Sequence, residues 1–400
     1  MVSAGLVALA GYLPGQQLDQ DYAYQLSQFL KAEVLLPTAY TDSIANDRAL
    51  PGHIETNYEG WEKRPWFESW LNALPECKKD DPFQGTKERR RVPADPDALK
   101  TSLYPHPMLP SDAETLAAGM VLFNSKVNKA EIDLVLVASQ VPDLPLPLNA
   151  SLIQHKLGLS DAGAYSIDTC CSSFVTLLEV ACGMVKSGIK QKILIISSYI
   201  DSHVSDRSDY FSVNTGDASF AGIVAPVKVQ FGYQGSHSTS HGERHKGIIV
   251  ENRSPGLYKK TGLNGLANRE FVTFSDHQAR SDIAKFATVD MIFCIRKAFT
   301  KSRIRLNQID FMVTHQPVHW APHAWREALG IPREKFLETF KKYGNIANCS
   351  VPANLLEAIL LGKVTSGNLV LMASSGAGEN HIALLDKLSP ELIKCCTGVV

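Results

Sequence analysis

The sequence predicts an α/β protein built on buried sheets, and three observations carry that reading. Short apolar runs recur at 132–138 (IDLVLVA), 193–197 (ILIIS), 311–314 (FMVT) and 369–373 (LVLMA). Runs so short and so continuously apolar read as strands covered on both faces. Longer stretches of helical pattern separate them, as expected where strands and helices alternate. The segment 174–185 is apolar almost all round, interrupted only by Thr176 and Glu179, which suits a helix inside the protein.

Taken in chain order, the first element is a buried strand over 5–12. The opening residues, MVSAGLVALAGYLPG, lack the charged start of a secretory leader, and their apolar run is broken by Gly11. From 36 to 83 the chain is rich in charge and tryptophan, with Trp66, Trp70 and Leu74 at helical spacing. That stretch reads as an insertion: an amphipathic surface helix, or an added wall of a substrate entrance. The segment 230–268 is rich in Gly, Ser, His and Asn and reads as a long loop at a seam near residue 230. No repeat is visible residue by residue, but the pattern is compatible with two α/β halves of similar length, 1–229 and 230–400.

Composition narrows the function classes. The chain has 400 residues, is 44% hydrophobic and 20% charged, and carries 40 basic against 41 acidic side chains for a net charge of −1. That balance suits a globular protein with a substantial core and argues against a nucleic-acid binder. No stretch approaches the roughly 20 apolar residues of a membrane span. The eight cysteines show no CxxC spacing, so a reducing cytoplasm is the expected compartment.

The stretch 164–183, AYSIDTCCSSFVTLLEVACG, carries the chemistry. A strand ending near Ile167 runs through a tight DTCCSS turn into the buried helix. A thiol at a helix N-terminus is favoured as thiolate by the macrodipole and by unpaired backbone N–H groups. The thiolate is the form that attacks a thioester, and the same N–H groups can hold the resulting oxyanion. Two thiols compete for the role. Cys171, followed by the small Ser172 and Ser173, is the expected nucleophile; Cys170 is expected to turn the opposite way and pack. The bland alternative makes both of them structural cysteines.

Two later segments supply partners. In FMVTHQP a buried strand delivers His315 at its C-terminal end, where chemistry sits in open α/β sheets. In YGNIANCSVP, Gly344 permits a tight turn before Asn345, whose amide donates without titrating. Cys, His and Asn together suit attack on one thioester and polarisation of a second as its enolate. SSGAG, at 374–378, follows the last strand, and a backbone N–H at Gly376 can complete an oxyanion hole with that of Cys171.

In order along the chain, GTKERRR (85–91), ASQVPDLPLPLNASLIQHKLG (138–158), DTCCSSF, NTGDASFAGIV (214–224), THQP and YGNIANCSVP resemble the motifs of the β-ketoacyl-acyl carrier protein synthase III branch of the thiolase superfamily. The DTCCSS turn is also close to the DTACSS of polyketide ketosynthases, which selects Cys171 over Cys170. The resemblance implies a thiolase fold, five-layered αβαβα from two duplicated halves, and a homodimer. It also implies ping-pong chemistry without a cofactor: Cys171 takes an acyl group, and His315 and Asn345 support carbon–carbon bond formation with a malonyl- or β-ketoacyl-thioester. Acyl carrier protein is the implied partner, in fatty-acid-like or polyketide biosynthesis. Three departures stand out. Lys79 and Phe83 replace the Trp and Arg that clamp the coenzyme A adenine, which favours a carrier protein as donor. GAGENH (376–381) replaces the GGGxxWG turn, and the chain is longer before Gly85.

Other readings keep or change the fold. A same-fold acyltransferase would pass the acyl group to an alcohol, an amine or water; the retained Asn345, in place of a carboxylate, favours condensation. A non-catalytic partner subunit would not need a complete triad. His315, His319 and His323, like His237, His241 and His245, stand at i, i+4, i+8, as in some zinc sites. HQPVH lacks the glutamate of HExxH and prolines interrupt the helix, so a metal-dependent hydrolase is set aside and no metal is expected. Basic residues Lys87, Arg89, Arg90, Arg91, Lys186, Lys190 and Lys192 offer either a docking surface for an acidic carrier protein or an ordinary solvated face.

Overall fold

The computed structural model describes residues 2–14, 20–30, 53–56, 68, 88–91, 108–204, 214–252, 270–273 and 276–396. Its strands in chain order are β1 (Ser3–Tyr12), β2 (His53–Thr56), β3 (Glu88–Arg91), β4 (Leu134–Ser139), β5 (Gly163–Ser166), β6 (Ile193–Ile200) and β7 (Asp217–Val227), followed by β8 (Gly232–Ser240), β9 (Ile249–Asn252), β10 (Glu270–Thr273), β11 (Phe311–Thr314), β12 (Leu369–Gly376) and β13 (Asn380–Lys387).

The apolar runs become the centres of two sheets, one of order β1-β7-β6-β4-β5 and one of order β11-β12-β13-β8. The two share a plan. In each, the first strand of that part of the chain pairs antiparallel with the last (β1 with β7, β8 with β13). The last strand pairs antiparallel with the one before it (β7 with β6, β13 with β12). That strand in turn lies parallel to an earlier one (β6 with β4, β12 with β11).

Two helices lie between the sheets. Ser173–Lys186 touches β1, β4, β6 and β7 on one side and β8, β12 and β13 on the other, while Ser350–Leu360 touches β1, β11 and β12. This position explains why 174–185 is apolar all round: Phe174, Leu177, Leu178 and Ala181 are buried within the central core cluster. Each completely buried Leu or Phe side chain there stabilises the fold by about 1.5–3 kcal/mol. The helix Pro110–Ser125 covers the outer face of the first sheet, and His277–Ser302 covers that of the second. Helix, sheet, helix, sheet and helix therefore follow one another as layers.

Each inner helix begins the same way. A short 3₁₀ turn precedes it, Cys170–Ser172 in one case and Ala347–Cys349 in the other. Each turn opens on a non-glycine residue in the left-handed region, Cys170 at φ 56° and Ala347 at φ 47°. Such residues cost of order 1–3 kcal/mol and persist where surrounding structure holds them.

The segment 230–268 corrects the sequence reading. Much of it is regular: β8, the turn Gly242–Gly247 and β9 occupy 232–252, and residues 253–268 lie outside the described ones. β8 reads GYQGSHSTS because it is a sheet edge with one neighbour, so few of its side chains face a core. His237 therefore lies on a strand, where its carbonyl accepts from Cys294 Sγ at 3.1 Å. From the region 36–83, β2 pairs antiparallel with β3; Trp66, Trp70, Leu74, Lys79 and Phe83 lie outside the described residues. Among the described residues no helix is long and apolar enough to cross a membrane.

Candidate active site

The cysteine turn is held from within. The Asp168 carboxylate accepts from the Cys170 N–H at 3.1 Å and from the Ser173 hydroxyl at 3.2 Å. Ser172 donates to the Thr169 carbonyl at 2.6 Å. These short-range bonds turn the chain from β5 into the inner helix and set Cys171 beside its N-terminus.

Cys170 does not turn away as the sequence reading expects. With φ at 56° its thiol swings round to lie 3.9 Å from Cys171 Sγ. The two thiols titrate in opposite directions. Cys171 is held well below the usual thiol range, first by the hydrogen bond from Cys170 and then by the charge and hydrogen bond of His315 and the amide of Gln140, against the opposing effect of burial. Cys170 is pushed up, by its bond to Cys171 and by burial.

His315 is buried and continues the β11 ladder, its N–H donating to the Ala373 carbonyl at 2.9 Å. Its ring Nδ1 lies 3.3 Å from Ser350 Oγ. Where Nδ1–H donates to that hydroxyl, Nε2 is left to take the proton of the Cys171 thiol, and the resulting Nε2–H imidazolium faces the thiolate. Ser350, the first residue of the second inner helix, thereby orients the imidazole.

Asn345 follows a tight turn at Gly344, which has φ 70° and where a Cβ would stand 2.5 Å from the Asn214 carbonyl oxygen. Only glycine fits there. The Asn345 N–H donates to that same carbonyl at 2.6 Å, and its Oδ1 accepts from the Ala347 N–H at 2.9 Å. The amide NH₂ is then what Asn345 can offer a substrate. The loop meets the cysteine turn through Ala347–Cys349, and Ala347 shares an apolar cluster with Cys171.

Gly376 closes the other side. A Cβ on it would lie 2.3 Å from the Thr169 carbonyl oxygen and 3.1 Å from the Cys171 nitrogen, so the β12 backbone runs against the cysteine turn. Ser374 Oγ fastens the approach by donating to the Cys171 carbonyl at 2.9 Å. In the turn after β12, Glu379 folds inward and pairs with Arg244 at 2.9 Å and with His381 at 3.3 Å.

One residue at the centre escapes the sequence reading. Gln140 directs its Nε2 at Cys171 Sγ from 3.7 Å, and its Oε1 is buried without a hydrogen-bond partner. Its position was a usable signal, since it follows the C-terminal end of β4 just as His315 follows β11. Glu114, also unread, accepts from Ser139, Ser198 and Asn149 behind this strand end, and burial pushes its carboxyl up to about 7. Of the docking candidates, Lys190 is engaged with the Asp133 carbonyl, Lys192 with Glu131, and Lys186 sits over the Tyr233 ring. Arg89, Arg90 and Arg91 lie on β3, their side chains outside the described ones, as is Lys87.

Comparison with known proteins gives the family and the fold. A family model described as 3-oxoacyl-[acyl-carrier-protein (ACP)] synthase III matches residues 165–242, and its C-terminal counterpart matches 299–387. The β-ketoacyl-[acyl-carrier-protein] synthase III of Campylobacter jejuni subsp. doylei is 30% identical over 283 residues, covering 70% of this chain and 83% of the relative. The chain belongs to the β-ketoacyl-acyl carrier protein synthase III family. It is an acyl-thioester condensing enzyme of the ketosynthase type. The synthase III 1 of Halalkalibacterium halodurans is 27% identical over 327 residues, 82% of this chain and 91% of its own. The thiolase fold is shared with the synthase III of Aquifex aeolicus VF5, with TM-score 0.70, 22% identity and coverage of 96% and 99% of the two chains. The priming β-ketosynthase of the R1128 polyketide pathway superposes with TM-score 0.68 at 18% identity, covering 96% of each chain.

For this synthase III-family chain, alkylation of Cys171 by iodoacetamide should titrate with a midpoint well below the ordinary thiol value of 9.0. His315→Ala and Gln140→Leu each remove a group that favours the thiolate, so each should move the midpoint upward. Peptide mass spectrometry across a pH series measures it, and unchanged midpoints in both variants would contradict this arrangement of the site.

Proposed function

We propose that Cys171, His315 and Asn345 perform a two-stage condensation. The Cys171 thiolate adds to the carbonyl of an acyl thioester. The oxyanion is held by the backbone N–H groups of Cys171 and Gly376, and the donor thiolate leaves. A malonyl-type thioester then enters. His315 Nε2–H and the Asn345 amide donate to its carbonyl oxygen as carbon dioxide departs, and the enolate carbon attacks the acyl-Cys171 carbonyl. The Cys171 thiolate is expelled and a β-ketoacyl thioester is released. Thioesters are the only substrates this chemistry calls on, and no cofactor enters it.

The observation that carries the reading is geometric: Gln140 Nε2 stands 3.7 Å from Cys171 Sγ and the Gly376 backbone lies against the Cys171 nitrogen, around a thiol held low by Cys170 and then by His315. An acyl carrier protein is the proposed donor. The resemblance supports it, as does the absence at Lys79 and Phe83 of the coenzyme A clamp. A homodimer is proposed as well. Leu144, Leu146, Leu148 and Leu152 stand 52%, 84%, 41% and 38% exposed on one loop and the helix it enters, an apolar patch of the kind a second subunit covers. Leu146→Asp should shift the protein toward monomer in sedimentation velocity, and a wild type that is itself monomeric would end that proposal.

The triad assignment makes separable demands. Asn345→Ala should still load an acyl group on Cys171, because Asn345 acts in the second stage, yet lose about 100- to 1,000-fold in condensation rate, the usual cost of one oxyanion donor. Acyl loading by intact mass and product formation by chromatography test the two stages separately. Equal loss of both would remove Asn345 from its second-stage role.

A further inference from the structure

The sequence places His315, His319 and His323 at helical spacing, but the fold separates them. His315 turns to Cys171, while the other two converge on a glutamate that sequence spacing does not reveal. His319 lies on the turn after β11 and His323 in the first turn of the helix Ala321–Ala328, which Pro322 helps to start. Glu338 arrives from a distant segment, just ahead of the helix Phe340–Tyr343. Its Oε1 stands 2.6 Å from His319 Nδ1 and its Oε2 3.2 Å from His323 Nε2. The two rings meet edge to face with centroids 5.5 Å apart.

Two imidazoles and one carboxylate form a zinc donor set that leaves the fourth position to water. One ligand atom from each residue lies within 4.8 Å of the others. Zinc bonds of roughly 2.0–2.2 Å put tetrahedral ligand atoms about 3.3–3.5 Å apart, so adjustments of about 1 Å would close these three around an ion. The side chains are 34%, 25% and 17% exposed, open enough for an ion and its water to reach them. Arg326, Arg333 and Lys341 line the same shallow cleft. Arg326 is tied to Glu327 at 2.8 Å and to the Ile331 carbonyl at 2.9 Å. Arg333 and Lys341 are exposed, where water and salt weaken their repulsion of a cation.

The same two segments are already joined nearby. Gln316 Oε1 accepts from the Thr339 N–H at 3.0 Å and the Phe340 N–H at 2.8 Å. One of these segments leaves His315; the other approaches Asn345. We propose that His319, His323 and Glu338 form a three-ligand site for zinc or a similar divalent cation, its fourth position left to water, and that the bound ion is a second fastening between the connections that carry His315 and Asn345.

The test is a titration of the whole protein, stripped with EDTA, with cobalt(II) and then with zinc. The expected result is one equivalent of cobalt with visible d–d absorption and no thiolate charge-transfer band, displaced by zinc, with zinc raising the melting temperature. Glu338→Gln and His323→Ala, shown to be folded by circular dichroism, should each weaken binding by at least the roughly 100-fold that even outer partners of a metal can cost. Three results would overturn the proposal: no cobalt bound, a thiolate charge-transfer band that assigns the metal to cysteines, or full affinity in both folded variants. A folded His241→Ala, which removes a ligand from the other described group of two histidines and a carboxylate (His241, Asp290 and His381), should keep full affinity, and loss of cobalt there would place the ion elsewhere and also overturn the proposal.

Discussion

The backbone of Gly376 runs so close to the cysteine turn that a single added carbon would stand 2.3 Å from the Thr169 carbonyl oxygen. This approach joins the two sheets at the point where Cys171 and His315 meet. Ser374, two residues earlier on the same strand, holds the Cys171 carbonyl, and Ala373 before it takes the His315 N–H. One stretch of β12 thus registers the Cys171 thiol of one sheet against the imidazole of the other. A bulkier residue at 376 would push the turn away, and with it the alignment of Cys171 with His315.

The repeated plan of the two sheets explains how such a site arises. Each inner helix starts from a left-handed residue and a short 3₁₀ turn, so each turn is presented to the same central region. One turn carries the thiol. The other carries Ala347, which packs beside it, and its helix supplies Ser350 to orient His315. The buried cores on both sides of the inner helices make this arrangement stiff, which suits oxyanion donors that must be in place before charge develops.

What the sequence made legible follows from burial. Strands such as β4, β6, β11 and β12 are covered on both faces, so their apolar runs stand out and their positions are recovered within a few residues. The positions of Cys171, His315 and Asn345 were legible because each sits in a distinctive turn or at a strand end, and the proposed chemistry uses them there. β8 was not, since an edge strand facing few neighbours keeps a polar sequence. Gln140 and Glu338 were missed for another reason: an amide or carboxylate alone has no pattern, and its meaning comes from residues 15 to 31 positions away. The Cys170 thiol was misread because strand alternation does not apply to a residue at φ 56°.

Everything in the proposed chemistry turns on Cys171 being the residue that takes the acyl group. Incubation with acyl-carrier and acyl-coenzyme A thioesters, followed by intact and peptide mass spectrometry, puts this to the test. An acyl adduct is expected on the peptide containing Cys171, absent in Cys171→Ala and still present in Cys170→Ala. An adduct confined to Cys170, or no adduct from any donor on a folded protein, would contradict that assignment.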